Sequence, residues 1–301
     1  MPLIIAEAGI CHSGSVERAF DLVEAAKGAG AHIVKFQTYQ TGKLLHRSDQ
    51  NYDLLKELEL PFDAFKRIAA HCDAIGIEFC STPGDVECLD FLMHECGVKR
   101  IKIGSDDLTN MPLVSAAYET WLPVILSTGM ATLEDVSRAV FGNSFFPKAI
   151  NEITLLHCVS LYPCPAELVN LRAMGTLRRE FPGISIGYSD HTTGTDACVI
   201  AAALGASVVE KHICLLGYNG VDANVSAHPL PFRCMVEKIK EVVPMLGDGR
   251  KIPSERERQA AAMLRKGPDG LRPNGPGGLH EDFGAHPSKR NIVQGSIQEP
   301  G

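Results

Sequence analysis

The sequence predicts a (β/α)8 TIM barrel, a fold of the α/β class. Its 301 residues are enough for one large core. Eight short apolar segments occur along the chain, and a segment with helical periodicity follows each of them. A doubly wound open sheet is the alternative. No G-x-G-x-x-G or G-x-x-x-x-G-K-[ST] pattern follows the first strand, which favours the barrel.

The first strand-helix-strand unit is complete within the first forty residues. Leu3 to Glu7 is a continuous apolar run that ends in a carboxylate, as a buried parallel strand would. Ser15 to Ala31 has apolar residues at helical spacing and glycines near its end. Ile33 to Gln37 is the second strand.

The same unit recurs after a polar excursion from Gln40 to Leu60. The remaining predicted strands are 77–82, 100–105, 123–128, 153–159, 185–191 and 207–212. The predicted helices are 61–75, 85–96, 112–121, 132–141, 171–181, 197–206 and 231–246.

The composition excludes several classes of protein. A net charge of −7 with 22% charged residues provides no broad basic surface for nucleic acid or anionic lipid. Ten cysteines occur without a C-x-x-C pair, and most lie in apolar segments, so we expect free buried thiols rather than disulfides. No signal peptide or membrane span is recognised, and we expect a cytoplasmic protein.

Polar residues collect where the predicted strands end, which is where barrel enzymes place their active sites. They are Glu7, Lys35, Gln37, Thr82, Lys102, Ser105, Ser127, His157, Ser189, His191, Lys211 and His212. His191 and His212 end neighbouring strands, so they are candidate ligands of one divalent cation. Without the other motifs, two such histidines are more often structural residues that each make a hydrogen bond than ligands of a metal ion.

Lys35 and Lys102 each lie between two apolar strand residues. Such a lysine is costly to bury without a partner, and an anionic substrate is the expected counter-charge. The hydroxyls of Thr82, Ser105, Ser127 and Ser189 would supply further donors to a phosphate or carboxylate. A Schiff-base role for either lysine stays open.

The motifs at these strand ends, in this order, resemble the N-acetylneuraminate (sialic acid) synthase family. They are AEAGICHSG, VKFQ, FCSTP, IKIGS, ILSTGM, LLHCVSLYPCP, GYSDHTTG and VVEKH. The resemblance covers residues 3 to 247. It implies a metal-dependent condensation of phosphoenolpyruvate with an aldehyde sugar, such as N-acetylmannosamine or a variant, to a 2-keto-3-deoxy sugar acid and phosphate by C–O cleavage.

The resemblance also implies residue roles. His191 and His212 match the metal ligands, with Mn²⁺ as the expected ion and Mg²⁺ or Co²⁺ as alternatives. The phosphoenolpyruvate positions are Lys35, Thr82, Lys102, Ser105, Ser127 and Ser189. The positions for acceptor contacts and proton transfer are Glu7, Gln37, Asp107, Tyr162 and Asp222, and Ser160 stands where the family often has Asn. The implied catalytic set is Glu7, Lys35, Gln37, Asp107 and Tyr162, with Ser160 and Asp222 in substrate binding.

The match departs from the family on the acceptor side and at the end of the chain. Cys11, Gly84, Asp107, Ser160 and Ala223 differ from the common residues. The 35 residues after Lys266 include 8 Gly and 5 Pro, and the few apolar residues that remain cannot form a core. The family's C-terminal antifreeze-like domain is therefore expected to be absent. We predict a catalytic domain over 1–250 and an extension over 251–301 that is flexible from 267. In the family, an arginine of the antifreeze-like domain binds the acceptor, and Arg272 or Arg290 of the extension could take its place.

Two other functions stay open at this point. One is a related condensation of phosphoenolpyruvate with a sugar phosphate, for which no basic cluster is visible at the acceptor side. The other is a catalytically silent barrel that binds a sugar or a protein partner. A homodimer is expected from the family.

Overall fold

A computed structural model describes residues 1–142 and 152–272 of the chain. Its eight strands are β1 (Leu3–Gly9), β2 (Ile33–Thr38), β3 (Glu78–Pro83), β4 (Ile101–Ile103), β5 (Val124–Ser127), β6 (Ile153–His157), β7 (Ser185–Asp190) and β8 (Val208–His212). They form one parallel sheet in the order β3-β2-β1-β8-β7-β6-β5-β4. β3 and β4, the two ends of this order, also contact each other. The predicted barrel is therefore confirmed.

The helices of the described residues follow the strands. They are α1 (Val16–Gly28), α2 (Thr41–Leu44), α3 (Tyr52–Leu58), α4 (Phe62–Ile75), α5 (Val86–Glu95), α6 (Met111–Glu119), α7 (Leu133–Phe141), α8 (Ala173–Glu180), α9 (Asp196–Ala203), α10 (Pro229–Val242) and α11 (Glu255–Leu264). The short helices α2 and α3 lie in the excursion between β2 and α4, where the sequence pattern predicts no helix. Their few residues carry too little periodicity to be recognised.

Side-chain alternation along the strands separates two cores. Outward residues such as Ile4 and Val34 join the large core between the strands and the surrounding helices. Inward residues form a small apolar layer that closes the interior of the barrel: Ile5, Ile33, Cys80, Ile125, Leu156 and Val208. The inward positions that follow along these strands carry the polar residues, so the apolar layer is the floor beneath them.

The chain divides into two units, residues 1–247 and 248–301. The first unit contains the barrel. In the second, α11 begins at a capping box between Ser254 and Glu257, and none of its residues is buried. Arg272 is exposed, whereas Arg290 and residues 273–301 of the predicted tail lie outside the described residues.

No helix of the described residues is both long and apolar enough to cross a membrane. The ten cysteines are unpaired, as expected, and eight of them are buried.

Candidate active site

One cavity of about 380 Å³ opens at the carboxyl ends of the strands. The fourteen residues to which the sequence and the resemblance assigned a binding, catalytic or metal role line it: Glu7, Lys35, Gln37, Thr82, Lys102, Ser105, Asp107, Ser127, Ser160, Tyr162, Ser189, His191, His212 and Asp222. They come from every strand or the loop that follows it. The barrel thus brings together residues that are more than 200 positions apart in the sequence.

Lys35 lies at the centre of a buried charged cluster. Its Nζ is 2.6 Å from Oε2 of Glu7 and 3.8 Å from Oε2 of Glu210, and it donates to Oγ1 of Thr82 at 3.2 Å. Gln37 Nε2 donates to the other oxygen of Glu7 at 3.0 Å, and Ser189 donates to Glu210 Oε1 at 2.9 Å. One ammonium therefore faces two carboxylates.

The two carboxyls of this cluster differ in their pKa. Burial raises the pKa of Glu7 to about 7, although Lys35 opposes the rise. Burial acts in the same direction on Glu210, but Lys102 and Lys35 outweigh it and hold the pKa of Glu210 below its usual value. Glu210 is thus the fixed negative charge, and Glu7 can exchange a proton near neutral pH.

Lys102 is the cation of the cavity that lacks a close carboxylate. Its side chain is buried, and its Nζ donates to Ser127 Oγ at 2.7 Å and to the carbonyl of Ile103 at 3.1 Å. Among the described residues, no carboxylate oxygen lies within 4.0 Å of it. A buried ammonium in this state is stabilised when an anion binds next to it.

More hydroxyls surround the entrance to Lys102. Ser105 Oγ accepts a hydrogen bond from the backbone N–H of Gly129 at 3.1 Å. A Cβ on Gly129 would lie 2.3 Å from Ser160 Oγ and 2.8 Å from Ser105 Oγ, so only glycine lets these two hydroxyls come this close to the backbone. Ser105, Ser127 and Ser160 thereby form a donor-rich wall of the cavity.

His191 and His212 lie side by side, with ring centroids 5.5 Å apart. Nδ1 of His191 is 2.6 Å from the carbonyl oxygen of Val159, to which it donates, so Nε2 keeps a free lone pair. Nδ1 of His212 is buried without a hydrogen-bond partner, 3.6 Å from Oδ2 of Asp222. Burial lowers the pKa of both imidazoles, so both are in the neutral form that binds metals.

This donor set fits a divalent cation held by two imidazoles. Within the described part of the chain, no group of three or more His, Cys, Asp or Glu residues is placed to hold a metal ion. A metal ion at this pair would have two protein ligands, one fewer than the three that catalytic zinc sites usually provide.

The rim of the cavity carries the acceptor-side residues that the resemblance assigned. The ring of Tyr162 lies over that of His191, with centroids 4.1 Å apart. Asp222 adopts a left-handed backbone conformation with φ of 65°. Oδ1 of Asp107 accepts a hydrogen bond from Asn110 Nδ2 at 2.8 Å, and burial raises the pKa of Asp107.

Two of the predicted strand-end residues, His157 and Lys211, do not reach the cavity. One residue that lines it, Glu210, is not among the predicted ones. Nε2 of His157 lies 2.8 Å from the carbonyl of Val169, outside the barrel interior. Lys211 also points outward, to Asp190, whereas Glu210 lines the cavity. Side-chain alternation was the available signal, because Glu210 is two residues before His212 and shares its face.

Comparisons with known proteins identify related synthases. The NeuB family profile matches residues 22–251. The N,N'-diacetyllegionaminic acid synthase of Legionella pneumophila is 38% identical over 284 residues, covering 87% of this chain and 78% of that protein. The N-acetylneuraminate-9-phosphate synthase of Drosophila melanogaster is 34% identical over 250 residues, covering 78% of this chain and 66% of that protein.

A solved structure supports the same assignment. The N-acetylneuraminic acid synthetase of Leptospira borgpetersenii, crystallised with citrate, superposes with a TM-score of 0.81 at 34% identity. The match covers 89% of this chain and 94% of that chain. The chain therefore belongs to the NeuB family, the sialic acid synthase family that its motifs resemble.

Proposed function

We propose that this protein condenses phosphoenolpyruvate with an aldehyde sugar and releases phosphate and a 2-keto-3-deoxy sugar acid. The observation that carries the proposal is Lys102, a buried ammonium without a close carboxylate, in the same cavity as the neutral His191–His212 pair. An anion and an electrophile can thus meet in one enclosed space. The related synthases, named for legionaminic and neuraminic acids, support this chemistry.

The phosphoenolpyruvate lies over the floor of the cavity. Its anionic groups are held by Lys102 and Lys35 together with the hydroxyls around them, those of Thr82, Ser105, Ser127 and Ser189. Charge-assisted hydrogen bonds from such donors are stronger than neutral ones and fix the orientation of the substrate. They also stabilise the negative charge of the departing phosphate.

His191 and His212 would hold a divalent cation, for which we propose Mn²⁺, the ion that the family resemblance implies. When bound, such an ion would polarise an aldehyde oxygen. Five polar side chains line the cavity above the phosphoenolpyruvate and contact the hydroxyls of the acceptor: Gln37, Asp107, Ser160, Tyr162 and Asp222.

The bond changes follow from this arrangement. C3 of phosphoenolpyruvate forms a bond to the aldehyde carbon, and the cationic C2 that results is captured by water. Glu7, whose pKa is about 7, takes the proton of that water and returns it to the sugar alkoxide. The C2–O bond to phosphate then breaks, the C2 hydroxyl proton leaves with phosphate, and the ketone forms.

The test is acceptor-dependent phosphate release with Mn²⁺ in oxygen-18 water, using N-acetylmannosamine, mannose and their 6-phosphates. C–O cleavage places oxygen-18 in the keto acid and none in the phosphate. A Lys102→Met variant should lose release, and Lys99→Met, an exposed lysine three residues earlier, should keep it. Label in the phosphate, or no release with any acceptor, would overturn the proposal.

A further inference from the structure

A second cavity, of about 450 Å³, lies outside the barrel wall, and we call it the outer cavity. It is bordered by α7, by α8 and by the chain segments at the ends of β5 and β6. None of the fourteen residues with an assigned role in the proposed reaction lines it. The outer cavity is therefore a space that the proposed chemistry does not use.

Arg172 gives the outer cavity a positive charge. Its side chain is exposed, and within residues 1–142 and 152–272 its guanidinium makes no ion pair or hydrogen bond. No Asp or Glu of those residues lines the cavity. Because a guanidinium binds a carboxylate through two parallel hydrogen bonds, the outer cavity suits a small organic anion.

His157 adds a hydrogen-bond acceptor to the same lining. The residue is only 9% exposed, and its Nε2 lies 2.8 Å from the carbonyl oxygen of Val169, so Nε2 carries the proton. Burial lowers the pKa of His157, which keeps the ring neutral. Nδ1 has no hydrogen-bond partner among the described residues and is not fully covered by protein atoms. Its lone pair is thus open to a donor in the cavity.

The rest of the outer cavity is largely apolar. Six residues provide this part of the lining: Met130, Ala131, Leu133, Val136, Ala173 and Leu177. An apolar group of a ligand would be removed from water against them. The donor to His157 is better a neutral hydroxyl than an ammonium, because no carboxylate in the lining would offset a second positive charge.

Only a thin wall separates the outer cavity from the active-site cavity. Met130 lines both of them. Cys158 lines the outer cavity, and its Sγ is 3.1 Å from Oγ of Ser105, which lines the other. A Cβ on Gly129 would lie 2.8 Å from Ser105 Oγ and 3.1 Å from Cys158 Sγ, so the wall has no spare room. A displacement on one side is therefore passed to the other.

We propose that the outer cavity is a second binding site, which takes a small hydroxy acid with an apolar body and whose occupation weakens the binding of phosphoenolpyruvate. The carboxylate binds Arg172, the hydroxyl donates to His157, and the apolar body packs between α7 and α8. Two anions on opposite sides of one wall repel each other, and pressure on Cys158 shifts Ser105. The second site stands by itself, whereas its effect on phosphoenolpyruvate rests on the proposed function.

The experiment is isothermal titration calorimetry on the full chain. The probes are 2-hydroxy-3-phenylpropanoate and 3-hydroxy-3-phenylpropanoate, with 3-phenylpropanoate lacking the hydroxyl and lactate lacking the apolar body. Arg172→Gln removes the charge and Ala173→Leu fills the cavity. Arg179→Gln is the matched control, because Arg179 is an exposed arginine of α8 that does not line the cavity. Lys102→Met reports binding in the active-site cavity instead.

We expect at least one of the two hydroxy acids to bind, and both comparison acids to bind more weakly. Arg172→Gln should weaken binding about 10-fold or more, since a hydrogen-bonded charge is lost. Ala173→Leu should also weaken it, whereas Arg179→Gln and Lys102→Met should leave it unchanged. If Ala173→Leu does not fold, the exposed Arg172 decides the result.

Phosphoenolpyruvate is then titrated with Mn²⁺ present and increasing hydroxy acid. Its Kd should rise by about 5-fold to a plateau, and phosphoenolpyruvate should weaken hydroxy-acid binding by the same factor. A rise without a plateau would indicate competition for the active-site cavity and would overturn the second site. In Arg172→Gln the Kd for phosphoenolpyruvate without hydroxy acid should equal that of the wild type.

The remaining outcomes separate the two proposals. No binding of either hydroxy acid, or binding that Arg172→Gln and Ala173→Leu leave unchanged, would overturn the second site and leave the synthase function standing. Hydroxy-acid binding with an unchanged Kd for phosphoenolpyruvate would overturn the coupling alone. A protein that binds the hydroxy acid through Arg172 but does not bind phosphoenolpyruvate would support the second site and overturn the synthase function.

Discussion

Lys102 and Lys211 lie in two strands of the barrel but face opposite sides of its wall. Each is buried in a strand. Lys211 points outward, and its Nζ donates to Asp190 Oδ2 and to the carbonyl of Thr192, both at 2.6 Å. Asp190 in turn accepts from Tyr188 at 2.7 Å and from Thr192.

The outer lysine thus has its counter-charge within the fold, and the inner one has only neutral oxygen partners within hydrogen-bond distance. The ion pair between Lys211 and Asp190 links β8 to β7 next to His191 and His212. A buried cation without a close carboxylate instead destabilises the free protein and is compensated by a ligand. The comparison indicates that Lys211 serves the fold and Lys102 serves binding.

Replacing the outer lysine should have the largest effect. Lys211→Met leaves Asp190 buried without its partner, and we expect the free energy of unfolding to fall by about 3–5 kcal/mol. Urea denaturation monitored by circular dichroism measures this, with the exposed Lys99→Met as control. Combining Lys211→Met with Asp190→Asn should recover part of the loss. A single variant as stable as wild type would refute a structural role for the pair.

Replacing the inner lysine should produce the opposite pattern. Lys102→Met removes a buried charge that makes no close ion pair but helps to keep Glu210 ionised, so we expect a smaller loss of stability than in Lys211→Met together with a decrease in kcat/KM of about 10²- to 10³-fold. Thermal unfolding and phosphate release on the same preparation give both values. Loss of stability together with retained activity would reverse the assignment of the two lysines.

His12 extends the comparison to a buried group that stays neutral. Its Nδ1 accepts from the N–H of Gly14 at 3.1 Å, and its Nε2 is buried without a hydrogen-bond partner. Burial lowers the pKa of His12 from 6.5 to about 4. Between these pH values the unfolded chain binds the proton and the folded chain does not. The contribution of neutral His12 to the free energy of unfolding is therefore complete above pH 6.5 and is lost as the pH falls toward 4.

The expected loss from His12 is about 3 kcal/mol over that range. His12→Asn keeps an acceptor for Gly14 without a titrating ring, so the wild type should lose more stability than this variant between pH 7 and pH 4.5. Denaturation at the two pH values measures the difference. Equal losses would show that His12 is not held neutral by burial.

The smallest effect concerns the second inner lysine. Thr82→Val removes one hydrogen-bond acceptor of the Lys35 ammonium, which Glu7 and Glu210 still surround. We expect the phosphoenolpyruvate KM to rise about 10-fold, since one hydrogen bond to a charged group contributes about 1.5 kcal/mol. Thr82→Ser should stay near wild type in the same assay. A loss as large as that of Lys102→Met would mean that Thr82 contacts the reacting groups.

The sequence by itself determined the fold and most of the cavity lining. Apolar strands followed by helices leave few architectures for the chain, and parallel strands deliver their last residues to one end. The predicted strands agree with the observed ones to within a few residues. β4 is shorter than predicted, ending at Ile103, just before Gly104.

Only the tertiary structure decided which strand residues face the cavity. Local sequence shows alternation but not which set points inward, because that depends on register with neighbouring strands and on closure of the barrel. Lys211 therefore looked like a site residue, and Glu210 was passed over. The contact between Tyr39 and Gly84, 45 positions apart, depends in the same way on the pairing of β2 with β3.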